Sequence, residues 1–147
     1  MYRIPRYRVC LVREASHPSE VKSINSPADA FGLLRTYLDL DGADRENFVA
    51  VLVDTKNKVI GINTVSVGAL NTTVVHPREV FKPAVLCNAA GVLLAHNHPS
   101  GDATPSEDDM KTTKRLCDAG TILGITVLDH IIIGEDGYFS FKAQGLI

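Results

Sequence analysis

No run in this chain of 147 residues approaches the ~20 consecutive apolar positions of a membrane span. The opening residues, MYRIPRYRVCLVRE, lack the long apolar core of a secretory signal. Only three cysteines are present, Cys10, Cys87 and Cys117, far apart and without a C-x-x-C pair. Such usage argues against a disulfide framework and for a reducing, cytoplasmic compartment. They read as small core residues. A net charge of −2 provides no global attraction to nucleic acid or to an anionic membrane. Internal repeats and low-complexity tracts are also missing. What is there is ordinary globular material, 45% hydrophobic and 22% charged, of a length that suits one domain with a real core.

Residues 1–25 read as an N-terminal strand and connection, and residues 26–147 as the domain proper. Tyr7 to Val12 alternate weakly, which predicts a first strand. Arg3, Arg6, Arg8 and Arg13 then read as protective charges on a solvated edge rather than as nucleic-acid contacts. Ser26-Pro27 is a helix start, with a helix predicted to about Leu40 and a polar turn over Asp41 to Arg45. The unbroken apolar run after Glu46 predicts a strand to Val53, buried on both faces. Asp54 to Asn57 is a hairpin turn, returning through a strand from Lys58 to Val67, with Gly68 and Asn71 marking a turn or bulge. His76-Pro77 opens a second helix running towards Ala90. A strand begins at Gly91, a helix spans Ser106 to Leu123, and β-branched residues predict a buried strand over Ile125 to Ile133. A tight turn and a short strand over Tyr138 to Phe141 finish the chain. The order is β-α-β-β-α-β-α-β-β: an α/β fold with a mixed sheet and helices on both faces.

The stretch Gly91 to Asp109, GVLLAHNHPSGDATPSEDD, reduces to H-x-H-x7-S-x2-D. Side chains two apart on a strand share a face, so His96 and His98 project together. A catalytic Zn2+ usually takes three protein ligands and a water. The Pro/Gly-rich turn reverses the chain, and the following helix can return Asp109 over the strand end. Two imidazoles and a carboxylate suit Zn2+, and ligand type also permits Fe2+, Co2+ or Mn2+. Ser106 and Asp109 equally form a capping box, which the helix would want with no metal at all. The two roles are compatible.

Hydrolysis at such a centre needs a general base and a donor for the oxyanion. The Ser106 hydroxyl, on the same helical turn as Asp109, is a candidate donor. Two carboxylates before the motif are candidate bases. Glu46 opens a strand that can neighbour the histidine strand. Glu79 lies in a first helical turn, where an acid is expected on dipole grounds alone. His76 and Arg78 either hold that helix or meet an anionic substrate group. Asp129-His130, in a buried strand, reads either as a hydrogen-bond partner of the site or as a locally satisfied pair, and neither residue as a ligand.

The pattern His96-x-His98-Pro99 with Ser106-x-x-Asp109 resembles the JAMM motif of the MPN-plus (JAB-type) metallopeptidases. VHPREVFKPAV from Val75, AHNHPSGDATPSEDD from Ala95 and LDHIIIG from Leu128 together resemble the RadC branch, over roughly Ser26 to Ile147. The resemblance implies a cytidine-deaminase-like (JAB/MPN) fold and Zn2+ on His96, His98 and Asp109 with a catalytic water. It implies Glu46 as the base, Ser106 as the oxyanion donor, and a protein or peptide substrate cleaved at an amide or isopeptide bond. RadC-like proteins are also linked to DNA repair. Their longer members carry an N-terminal helix-hairpin-helix region not matched in these residues, which weakens that link here. Three functions are therefore in play: a zinc hydrolase, a DNA-associated accessory protein with a structural metal, and a nuclease or deaminase. Deamination is disfavoured, since H-x-E with P-C-x-x-C is missing.

Overall fold

The computed structural model describes residues 1–38, 43–68 and 75–147. Among these, three helices and five strands follow one another as α1 (Pro27–Leu38), β1 (Glu46–Val53), β2 (Val59–Gly68), α2 (Pro77–Leu86), β3 (Gly91–Asn97), α3 (Glu107–Leu123), β4 (Thr126–Ile133) and β5 (Tyr138–Ser140). The sheet order is β2-β1-β3-β4-β5. Only β3 and β4 run parallel, joined by α3, and the other neighbouring pairs are antiparallel. Leu40, Asp41 and Asn71, where a helix end or turn is expected, lie outside the described residues.

Both faces of the sheet are covered, as the apolar run of β1 requires. Val49, Val51, Val53, Leu93 and Ile131 pack with Ala30, Leu33 and Leu34 of α1. Phe48, Ala50, Leu52, Val92 and Leu94 pack with Val80, Phe81 and Ala84 of α2 and Leu116 of α3. The period-two alternation thus sends odd β1 residues to one helix layer and even ones to the other.

Two expectations about the elements need correction, and Cys10 is exposed rather than a core residue. Among the described residues, 1–22 carry no helix or strand, so Tyr7 to Val12 is not a strand. Val9 is 70% and Val12 81% exposed, so the alternation there has no apolar face to bury. The first sheet contact is an isolated bridge between Ser23 and Lys58. The second helix stops at Leu86 rather than near Ala90, because Asn88 turns left-handed at φ 54°. Its N–H reaches Val85 O at 3.1 Å and that of Ala89 reaches Ala84 O at 2.9 Å, closing the helix.

Candidate metal centre

Three elements converge at one end of the sheet. In the β1–β3 ladder Phe48 stands opposite His96. Because the two strands are antiparallel, moving two residues back along β1 to Glu46 matches moving two residues on to His98. Glu46 and Phe48 share a face, as do His96 and His98. The turn after His98 then leads into α3, whose first turn carries Asp109.

Glu46, His96, His98 and Asp109 bring one ligand atom each to within 4.8 Å of one another. His96 Nε2 and His98 Nε2 are 3.0 Å apart. Asp109 Oδ1 is 3.2 Å from His96 Nε2, and Asp109 Oδ2 is 3.2 Å from His98 Nε2. Two ligands bound tetrahedrally to one ion at ~2.0–2.1 Å lie about 3.3 Å apart. The His–His–Asp separations therefore fit a tetrahedral set. Glu46 Oε1 stands further out, 3.6 Å from His96 Nε2 and 3.8 Å from His98 Nε2.

Each ring is held by its other nitrogen. His98 Nδ1 lies 2.7 Å from the Asp102 carbonyl, which can only accept, so the neutral ring keeps its hydrogen there and Nε2 bare. The loop presenting that carbonyl is clamped to the end of β4. Glu135 N donates to Gly101 O at 2.8 Å, and His98 N to Ile133 O at 2.9 Å. Gly101 takes φ 86°, and a Cβ on Gly134 would meet Gly101 O at 2.4 Å, so both positions require glycine. His96 Nδ1 faces the core instead, 2.7 Å from His130 Nε2.

Glu46 is held from both sides by Asn97. The Asn97 carbonyl oxygen accepts from Asn47 N at 2.7 Å, and its amide donates to Arg45 O at 3.0 Å. The buried side chain thus extends the β1–β3 pairing beyond the last ladder residue.

Ser106 caps α3. Its hydroxyl oxygen accepts from Asp109 N at 3.1 Å, while Asp109 Oδ2 accepts from Ser106 N at 2.8 Å. The capping box and the cluster therefore share one carboxylate. Burial pushes the Asp109 carboxyl up, but the facing His96 and His98 rings, which attract the carboxylate when they carry a proton, outweigh it and hold it well below the usual carboxylate range. The same contact with Asp109 raises the His98 imidazole above its ordinary value. Burial drives His130 well below the usual histidine range, so it is neutral.

Glu79 lies elsewhere, paired with Lys82 at 3.5 Å and Arg78 at 3.9 Å on the exposed side of α2. His76 stands at the cap of α2 without a side-chain cap bond. The Asp129 carboxylate does not pair with the His130 ring. It accepts from the Ser140 hydroxyl at 2.6 Å and from Lys142 N at 2.9 Å, which fixes the turn carrying Phe141. Sequence reasoning missed Asn97, Thr113 and the Asp102 carbonyl. For Thr113 a signal exists, since it lies four residues after Asp109 on the same helix face.

Beside His98 opens a cleft of about 400 Å³, whose walls include Phe31, Arg35, Asn97, Pro99 and Ile133. Among the described residues no helix is long and apolar enough to cross a membrane.

The RadC-like JAB domain family model matches residues 24–146. The UPF0758 protein of Desulforamulus reducens is 52% identical over 136 residues, covering 92% of this chain and 59% of that protein. The UPF0758 protein of Rubrobacter xylanophilus is 56% identical over 124 residues, covering 84% of this chain and 53% of that protein. The chain thus spans a little over half the length of these relatives.

Proposed function

This chain belongs to the RadC family, with a JAB-type domain, and from that premise we propose that it is a zinc-dependent hydrolase of amide or isopeptide bonds in a protein or peptide substrate. The observation that carries this reading is the spacing of the four side chains. Three ligand groups stand at tetrahedral edge lengths, and a fourth carboxylate stands just beyond them. A bound Zn2+ with an open position would lower the pKa of a water towards ~7 and polarise the scissile carbonyl.

The roles of the chain's own residues follow from their hydrogen bonds. His96, His98 and Asp109 would hold the ion. Glu46, kept at the rim by Asn97, takes a proton from the attacking water and returns it to the leaving nitrogen. The Ser106 oxygen already accepts from Asp109 N, which leaves its single hydrogen to donate to the oxyanion. An extended substrate segment enters along the cleft beside His98, with Arg35 and Phe31 on its wall.

Metal analysis and turnover test this together. The purified chain is expected to hold about one Zn2+, as a single three-ligand site would. It should cleave an isopeptide-linked or peptide substrate in a chelator-sensitive way. Full zinc in His96→Ala would reject the ligand set. A DNA-associated role would instead appear as affinity falling steeply with salt.

A further inference from the structure

The direction of hydrogen bonding behind His96 can be worked out from one group with no choice of role. The Asp109 backbone carbonyl can only accept. Thr113 Oγ1 donates to it at 2.7 Å, and a hydroxyl has a single hydrogen. Thr113 Oγ1 also lies 2.6 Å from His130 Nδ1. With its hydrogen committed, Thr113 can only accept there, so His130 Nδ1 carries the ring hydrogen. A neutral imidazole has one N–H, so His130 Nε2 is bare and accepts from His96 Nδ1 at 2.7 Å. His96 therefore keeps its hydrogen on Nδ1 and presents a lone pair at Nε2 to Asp109 and His98.

We infer that Thr113 and His130 form a buried hydrogen-bond relay that fixes the tautomer and angle of His96, arming it as a metal ligand before any cation arrives. Both are positioning residues, and neither touches the cluster's ligand atoms. The use of the relay rests on the metal-centre reading, whereas the tautomer it imposes does not.

The surroundings support the assignment. His130 is fully buried, stacked on Phe141 at 4.9 Å and edge-on to Phe48 at 5.4 Å. A polar ring in such a place is costly unless both nitrogens are satisfied, and both are. The need for a relay follows from the strand. His98 lies past the end of β3 and reaches a loop carbonyl directly. His96 lies within the ladder, between β1 and β4, where carbonyls are engaged in strand pairing. Its partner must then be a side chain from the next strand, and Leu94 of β3 is in register with His130 of β4. The relay ends on the peptide of Asp109, so one residue supplies a carboxylate to the cluster and the anchor for the opposite ligand.

The test has two independent arms. In the metal-free wild type, long-range 1H–15N spectra at alkaline pH should show His96 and His130 with hydrogen on Nδ1 and Nε2 bare. Zn2+ affinity is then measured by competition with a chromophoric chelator. Thr113→Val, nearly isosteric, should weaken binding about 10- to 100-fold. Thr113→Ser, which keeps the hydroxyl, should bind within about threefold of wild type, well inside that range. His130→Phe should weaken binding at least as much as Thr113→Val; if it fails to fold, the Thr113 pair decides. Hydrogen on His96 Nε2 in the wild type overturns the relay, as does a folded Thr113→Val that binds Zn2+ like wild type. A wild type that binds no Zn2+ would overturn the proposed hydrolase, and the spectra alone would then judge the relay.

Discussion

Two helices of this chain begin with the same four-residue device, and of the two only the acid of α3 also stands in a cluster that could hold a metal. At α1, Ser26 Oγ accepts from Asp29 N at 3.2 Å, and Asp29 Oδ2 accepts from Ser26 N at 3.0 Å. At α3, Ser106 and Asp109 make the same reciprocal bonds. Locally the boxes are alike, and each satisfies donors that a helix start leaves open. The difference lies across the gap. Asp29 spends its second interaction on Asn25 N, and backbone and Ser26 hydrogen bonds hold its carboxyl below the usual range. Asp109 faces the imidazoles of His96 on β3 and His98 just past its end, and a glutamate on β1. A capping carboxylate thus joins a cluster that could hold a metal, through the strand that the topology sets against it.

The largest expected contrast between the boxes is in metal content. Asn keeps an oxygen for the serine N–H at either position, so each cap survives. Asp109→Asn should nonetheless lower zinc from about one per chain to none, by elemental analysis. Asp29→Asn should leave zinc unchanged and cost only a small fall in Tm. Next comes the carboxylate that completes only the α3 site. Glu46→Gln should keep zinc and lower turnover by about 10² to 10⁴. Glu79→Gln should change neither.

Smaller effects separate capping from chemistry. Ser26→Ala and Ser106→Ala should each cost about 1 kcal/mol of stability in denaturant melts. Ser106→Ala should also slow turnover by about 10² or more, as loss of an oxyanion donor does. Ser106→Gly, which as a cap costs only a few tenths of a kcal/mol, should show the rate loss almost alone. The smallest contrast concerns pH in the metal-free chain. The raised His98 pKa gives stability that is present below ~6.5 and lost as pH rises through the folded value. The lowered Asp109 pKa gives stability that is present above ~3.8 and lost as pH falls. The pair therefore helps most between about pH 4 and 6.5, by roughly 1 kcal/mol or less for half-buried groups. Asp109→Asn should shrink the Tm difference between about pH 5.5 and 8, across the His98 range; Asp29→Asn should not.

Much of the framework was legible because it is local. The apolar run of β1, the Asp54–Asn57 hairpin and the start of α3 at Ser106 each follow from neighbouring residues. The same holds for the His96–His98 pair, since strand geometry alone puts both rings on one face. Tyr7 to Val12 misled because alternation predicts a strand only where a sheet stands ready to pair with it. The supports of the site were hidden for another reason. Asn97 acts on the backbone around Glu46, and Asp102 contributes a carbonyl that every residue has. Neither leaves a spacing to read, because sheet register and loop clamping create them. Strand pairing likewise sets Glu46 at the level of His98, while Glu79 pairs with Lys82 on α2.

The most direct measurement is anomalous diffraction at the zinc edge from a zinc-loaded crystal of this chain. The expected result is one peak per chain within ~2.0–2.2 Å of Nε2 of His96, Nε2 of His98 and a carboxylate oxygen of Asp109. The Glu46 carboxylate should lie beyond bonding distance, on a water in the fourth position. A peak bound by Glu46 in place of Asp109, or a peak away from these four residues, would contradict the reading.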